Sequence, residues 1–291
     1  QVYGGEDAAT PDYGKVYISI KARSGSNLTE VTKASLVQSL KSFAVASVTP
    51  VIIDPETTFI TITTTFKYDS SLTTKDVSTL QADVLDAVSF YNTDTLENFT
   101  GMFRYSKVLE TIDGADTSIL SNITKVKMYK YITATLNSGL KYTLSFNNAF
   151  FNPHSGHNST AGGIVSSTGF KIINDDSTNE HFLDDDGAGI IRVYYLSGTT
   201  RIYTDSTYGT INYTTGEIIL TSATITSISN VDGAASTQIR VIVQPDSNDV
   251  VPVRNQVLSI DVANSTITGS VDTIESGSSQ AGTSYTTTSS Y

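Results

Sequence analysis

Between Thr57 and Tyr91 the chain alternates strictly and then changes period, and that change constrains the first half more than any other feature. Ile60, Ile62, Phe66 and Tyr68 recur at every second position, with Thr64 filling the gap. Thr61, Thr63, Thr65 and Lys67 occupy the positions between. One apolar face and one Thr/Lys face at period two describe a half-buried strand, and β-branched residues suit its pleat. Asp69-Ser70-Ser71 turns the chain, and Thr73 with Asp76 reads as a helix start. Val77, Leu80, Val84, Leu85, Val88 and Tyr91 then follow helical spacing. A short amphipathic helix after such a strand buries its stripe by folding back onto the strand's apolar face.

The flanking segments repeat the theme. Val16, Ile18 and Ile20 alternate as a first strand, Ser24-Gly25-Ser26 turns, and Asn27 with Glu30 reads as a capping box. Val31, Leu36, Val37, Leu40, Phe43 and Ala44 form a helical stripe. Val48 to Ile53 is a short strand that Pro50 confines to an edge. A short helix spans Ser106 to Ile112, stopped by Gly114, and a last strand runs from Ile123 to Thr135. Strand, helix, strand, strand, helix, strand is the split βαβ, or ferredoxin-like, order. One sheet would then carry both helices on one face. Val16, Ile18, Ile20, Leu36, Leu40, Phe43, Ile60, Ile62, Phe66, Leu80, Val84, Val88, Val126 and Met128 are expected to form its core. Tyr17, Lys21, Thr61, Thr63, Lys125, Lys127 and Tyr129 are expected on the open face.

From Leu140 the helical period disappears. Short strands alternate with Gly, Asn, Asp and Ser clusters, and Thr214-Thr215-Gly216 is a strong hairpin turn, with a second expected at Asn264. This half reads as an antiparallel sandwich or barrel-like domain. The expected organisation is α+β: a ferredoxin-like domain over 1–136, a β-rich domain over 137–274, and a Ser/Thr/Gly-rich tail over 275–291 that orders only against a partner. The Asn137-Ser138-Gly139 stretch between the halves reads as a hinge or a hairpin turn.

A net charge of −11 opposes a nucleic-acid partner, and the absence of cysteine excludes disulfides and thiolate metal sites. No apolar run is long enough for a spanning helix, so no membrane partner is expected. His154 and His157 are three apart, but Pro153 and Gly156 make a loop of that segment, and a polar surface is expected there rather than a metal. Asp175, Asp176, Glu180, His181, Asp184, Asp185 and Asp186 form an acidic stretch whose spacing does not match a calcium loop. Gly187-Ala188-Gly189 precedes a strand and is no phosphate loop. No catalytic residue, cofactor or metal ligand is assigned, and the chain is not expected to be an enzyme.

A string of segments resembles a known family. It comprises Val2-Tyr3-Gly4-Gly5-Glu6-Asp7, Tyr13 to Lys21, Thr49 to Pro55, Thr63 to Asp69, Gly101 to Lys107, and Ile119 to Ile123, in that order. Together they resemble the large baseplate wedge subunit of T-even-like contractile-tailed phages, in the baseplate J-like group. The resemblance covers residues 2 to 130 and implies a C-terminal part, since the family carries a further domain upstream and this chain begins with Gln1. It implies a structural virion protein of the tail baseplate, assembled in the host cytoplasm. Such a subunit joins wedges into the inner ring through contacts with copies of itself and with other wedge proteins. A different reading makes the β-rich half a surface- or carbohydrate-binding module, with Tyr194, Tyr195, Tyr203 and Tyr208 as stacking platforms.

Overall fold

A computed structural model describes residues 1–8, 11–22, 27–43, 48–158, 163–176 and 178–273. The expected turn at Ser24-Gly25-Ser26, Ala44 of the first helical stripe and the tail 275–291 lie outside the described residues.

Alternation between Glu56 and Tyr68 becomes strand β4 (Glu56–Tyr68), paired antiparallel with β5 (Ile119–Thr133). Ile60 lies opposite Met128 and Ile62 opposite Val126, so the apolar faces coincide. Helix α2 (Val77–Tyr91) covers that face with Leu80, Val84 and Val88, and α3 (Tyr105–Asp113) adds Val108 and Ile112. Asp76, rather than Thr73, caps α2 by accepting the Thr79 amide at 2.8 Å. Within the apolar layer the Thr64 and Thr124 hydroxyls lie 2.5 Å apart and satisfy each other.

The sheet around this pair differs from the ferredoxin-like expectation. Its other members come from the far end of the chain. Strand β13 (Gln238–Val243) takes the free edge of β5. Strands β14 (Gln256–Ile260) and β15 (Thr266–Val271) run parallel to successive halves of β4. With those edges occupied, β2 (Lys15–Ser19) and β3 (Thr49–Ile53) pair with each other instead. They form a separate three-stranded sheet with β1 (Val2–Gly4), and α1 (Glu30–Lys41) makes the crossover. The order of elements matches the expectation, while their sheet membership does not. Consequently Ile60, Ile62, Phe66, Leu80, Val84, Val88, Val126 and Met128 join one core, but Val16, Ile18, Ile20, Leu36, Leu40 and Phe43 lie outside it. The turn at Asn264 is also not a hairpin: β14 and β15 lie in line along the same partner strand.

The β-rich region contains a closed ring of five strands. They are β8 (Phe170–Ile172), β9 (His181–Asp185), β10 (Ile190–Ser197), β11 (Thr200–Asn212) and β12 (Glu217–Ile228). Successive strands pair antiparallel, β12 pairs β8, and the β11–β12 hairpin closes the ring. Its turn falls at the expected Thr214-Thr215-Gly216. Asn212 Oδ1 accepts the amides of Thr214 and Thr215, and Gly216 sits at φ +69° with no room for a Cβ beside the Asn148 carbonyl. Strand β6 (Gly139–Ser145) attaches to the outside of β12, and β7 (Ser166–Ser167) to β13.

The boundary expected at 136/137 is crossed by hydrogen bonds. Besides β13, β14 and β15, the buried Lys130 of β5 donates to the Ser145 carbonyl of β6 at 2.7 Å and pairs with Glu56 of β4 at 3.0 Å. One cluster of buried side chains runs from α2 and α3 through the sheet to the barrel interior, where Leu183, Ile191, Val193, Ile218 and Ile225 meet.

Candidate assembly surface

Helix α1 begins where Thr29 accepts the Thr32 amide at 3.2 Å, two residues beyond the expected Asn27 cap. Its one buried residue is Lys33, whose ammonium reaches Asp54 Oδ2 at 2.6 Å and Glu30 Oε1 at 2.7 Å. Those two hydrogen-bonded carboxylates, Asp54 first, hold the Lys33 amine above its ordinary pKa. The helix is therefore fixed to the β3–β4 junction by a polar anchor, while Leu36, Val37 and Leu40, on the Lys33 side of the helix, are only partly covered. Val31 is 80% exposed and Phe43 88%, with Leu36, Leu40 and Val48 also exposed. Exposed apolar side chains gathered on α1 and the segment after it, without a partner among the described residues, mark an interaction surface.

The rest of the 1–53 unit meets the main body mostly through polar groups. Lys21 Nζ reaches Glu97 at 3.4 Å, Arg254 donates to the Asp7 carbonyl and lies over the Tyr3 ring, and the Asn255 amide donates to Gln1 Oε1. Between Lys21 and the end of α2 lies a cleft of roughly 550 Å³, lined by Phe90, Thr93, Asp94, Glu97 and Phe99 among others, with Phe90 largely exposed.

On the outer face of the main sheet Thr63, Lys125 and Lys127 are exposed and Thr61 is half-buried, as expected. Tyr129 is not. Its hydroxyl donates to Asp261 at 2.5 Å, its ring stacks on Phe59, and the Arg240 guanidinium lies 4.8 Å above it. Arg240 is itself paired with Asp232 and near Tyr131. Burial pushes the Tyr129 phenol well above its usual range. Strand alternation placed Tyr129 on this face correctly, but only the folded chain brings Arg240 and Asp261 over it.

The acidic stretch is distributed rather than gathered. Asp175 bonds His181 Nε2 at 2.6 Å, and Asp176 accepts from Thr178. Glu180 is exposed. Asp184 is buried against Arg192 at 2.9 Å, Arg201 at 2.8 Å and the Tyr203 hydroxyl at 2.8 Å. Asp185, fully buried, accepts the Ile164 and Val165 amides and the Tyr213 hydroxyl at 2.7, 2.8 and 2.6 Å. Asp186 accepts the Ala188 and Ile190 amides. Each aspartate of the stretch is thus committed to its own partners. Of the four tyrosines considered for stacking, Tyr194 and Tyr208 are buried, Tyr195 packs edge-on against His181, and Tyr203 alone is substantially exposed. Asn137 adopts φ +57° and donates its amide to the Ile225 carbonyl, a turn tied to the barrel.

Comparison with known proteins supports the same half of the chain. Residues 1–53 match the family of baseplate structural protein gp6, C-terminal domain I, so the unit with the exposed α1 face coincides with one family domain. Residues 56–131 match gp6 C-terminal domain III, which covers β4, both following helices and nearly all of β5. Baseplate wedge protein gp6 of Enterobacteria phage T4 is 29% identical over 139 residues, 47% of this chain and 21% of that protein. The chain therefore spans about a fifth of that relative's length. Over residues 1–131 the chain is thus similar to the C-terminal domains of a baseplate structural protein, the gp6 wedge protein.

Proposed function

We propose that this chain is an assembly module of a contractile tail baseplate. It joins wedges into the inner ring through contacts with copies of itself and with other wedge proteins, and it assembles in the host cytoplasm before entering the virion. The observation that carries this reading is the set of exposed apolar side chains on α1 and just after it, Val31, Leu36, Leu40 and Phe43, within a region matched to a gp6 C-terminal domain. Residues 1–136 supply the joining surfaces, and the β-rich 137–274 part braces them, since β13, β14 and β15 complete the sheet. A stable interface buries on the order of 1,200–2,000 Å² in total, and the α1 stripe would be its apolar centre.

Val31→Glu and Phe43→Glu provide the test. Both side chains are largely solvent-exposed, so each variant should keep its unfolding midpoint, with a stability change within about 0.5 kcal/mol. Light scattering and crosslinking of the purified chain, alone and with other baseplate proteins, should then show that association is lost. Assembly that proceeds normally in both variants would remove α1 from the interface.

A further inference from the structure

The loop after β6 contains the chain's two exposed imidazoles. His157 Nδ1 lies 3.1 Å from His154 Nε2, and the rings stand at 86° with centroids 4.8 Å apart. His154 Nδ1 is 3.2 Å from the Ser155 carbonyl. A carbonyl oxygen only accepts, so Nδ1 carries the proton and Nε2 presents its lone pair to His157. The His157 ring is held edge-on against Phe151 at 5.3 Å.

The backbone beneath the two rings is fixed from several sides. The His157 amide donates to the His154 carbonyl at 3.0 Å, and the Gly156 amide to the Gly187 carbonyl at 2.8 Å. The side-chain Nδ2 of buried Asn158 donates to the Phe151 carbonyl at 2.6 Å, and Asn152 Nδ2 reaches the Gly187 carbonyl. Gly156 takes φ +79°, the left-handed turn that lets the two histidines face each other. The pair is thus held in place before any ligand arrives.

We propose that His154 and His157 form a two-imidazole site for a first-row divalent ion such as Zn²⁺ or Ni²⁺. Metal–nitrogen bonds of about 2.0–2.1 Å span the nitrogen separation at an angle of about 100°, between the octahedral and tetrahedral values. Imidazole is the ligand type these ions favour. A ligand imidazole whose other nitrogen donates to a carbonyl is the usual supporting arrangement, and His154 has it. Among the described residues no third His, Asp or Glu joins the pair, so water fills the remaining positions. The competing arrangement is a plain hydrogen bond, with His157 Nδ1–H donating to His154 Nε2.

Calorimetric titration of the full chain with ZnCl₂ or NiCl₂ separates the two. The expected result is one ion per chain, with no comparable binding of Mg²⁺ or Ca²⁺, which prefer oxygen ligands. His157→Ala should weaken binding by more than about tenfold, since loss of even a supporting partner typically costs 10- to 100-fold. His154→Gln keeps a hydrogen-bond acceptor for His157 but removes the imidazole, and should also lose the ion while folding normally by circular dichroism. The third histidine, His181, is buried with Nε2 engaged by Asp175 and cannot substitute. Absence of binding at millimolar ion, or binding unchanged in both variants, would leave only the hydrogen bond and overturn the proposal.

Discussion

Phe66→Ala is expected to lower the unfolding free energy by about 3–5 kcal/mol, as for other large buried aromatics. Phe66 is fully buried between β4 and the elements that cover it. Its ring tip lies so close to Gly269 of β15 that a Cβ there would meet Cζ at 2.5 Å. Truncation therefore opens a cavity where strand and helix meet, and rigid neighbours on both sides cannot collapse into it. Ile62→Ala and Val84→Ala should follow at about 1–4 kcal/mol by the same mechanism. Thr63→Ala, one residue away but on the exposed face, should change stability by less than about 0.5 kcal/mol. Chemical denaturation of the four variants would read the contrast directly. A Thr63 cost equal to that of Ile62 would mean that both faces of β4 are buried.

Asp185→Ala should be nearly as damaging, and for a different reason. Removing this carboxylate leaves the Ile164 and Val165 amides and the Tyr213 hydroxyl without their acceptor inside the fold. At about 1–3 kcal/mol for each stranded buried donor, the total reaches at least about 3 kcal/mol. Asp185→Asn keeps one oxygen for the two amides, and its NH₂ can donate to a rotated Tyr213 hydroxyl, so it should retain most of the stability. Burial, the dominant cause, raises the Asp185 pKa above its ordinary 3.8. The folded chain then binds this proton at higher pH than the unfolded chain does. The contribution is fully present below pH 3.8 and is lost as pH rises through the elevated folded value. Subtracting the stability of Asp185→Asn from that of the wild type between about pH 3 and 7 isolates the slope. A flat difference would show that burial does not govern this group.

Asp185 also shows where sequence reasoning stops. In Asp184-Asp185-Asp186-Gly187 three adjacent acids look solvated, yet the first two lie on a barrel strand, each among donors from elsewhere in the chain. Composition reports charge but not which distant Arg, Tyr or amide arrives to meet it. The Glu56–Tyr91 region was legible because its partners, strand and helix, are adjacent in sequence and carry unmistakable periods. The Thr214–Gly216 turn was legible because a tight hairpin is specified locally. Sheet membership was not: alternation says that a strand has an apolar face but not whose edge it joins, so β2 and β3 were assigned to the wrong sheet. The α1 stripe was read correctly as apolar and wrongly as core. Periodicity cannot tell a face buried within the chain from one reserved for another molecule, and Lys33, on the same side of the helix as Leu36, Val37 and Leu40, takes the buried position there.

The pairing of β14 and β15 with β4 has a consequence for how the molecule is made. Those partners are about 200 residues apart, so one edge of the central strand waits for that much more chain. While the ribosome is still extending the polypeptide, β4 and β5 can pair across the intervening α2 and α3, but the other edge of β4 stays open. An open edge of Thr, Ile and Phe residues is a template for any passing strand. Completion of the sheet thus comes later than the pairing of β4 with β5 and is slow. A ribosome that stalls before residue 256 releases a chain with that edge bare, and such chains should aggregate rather than enter assembly.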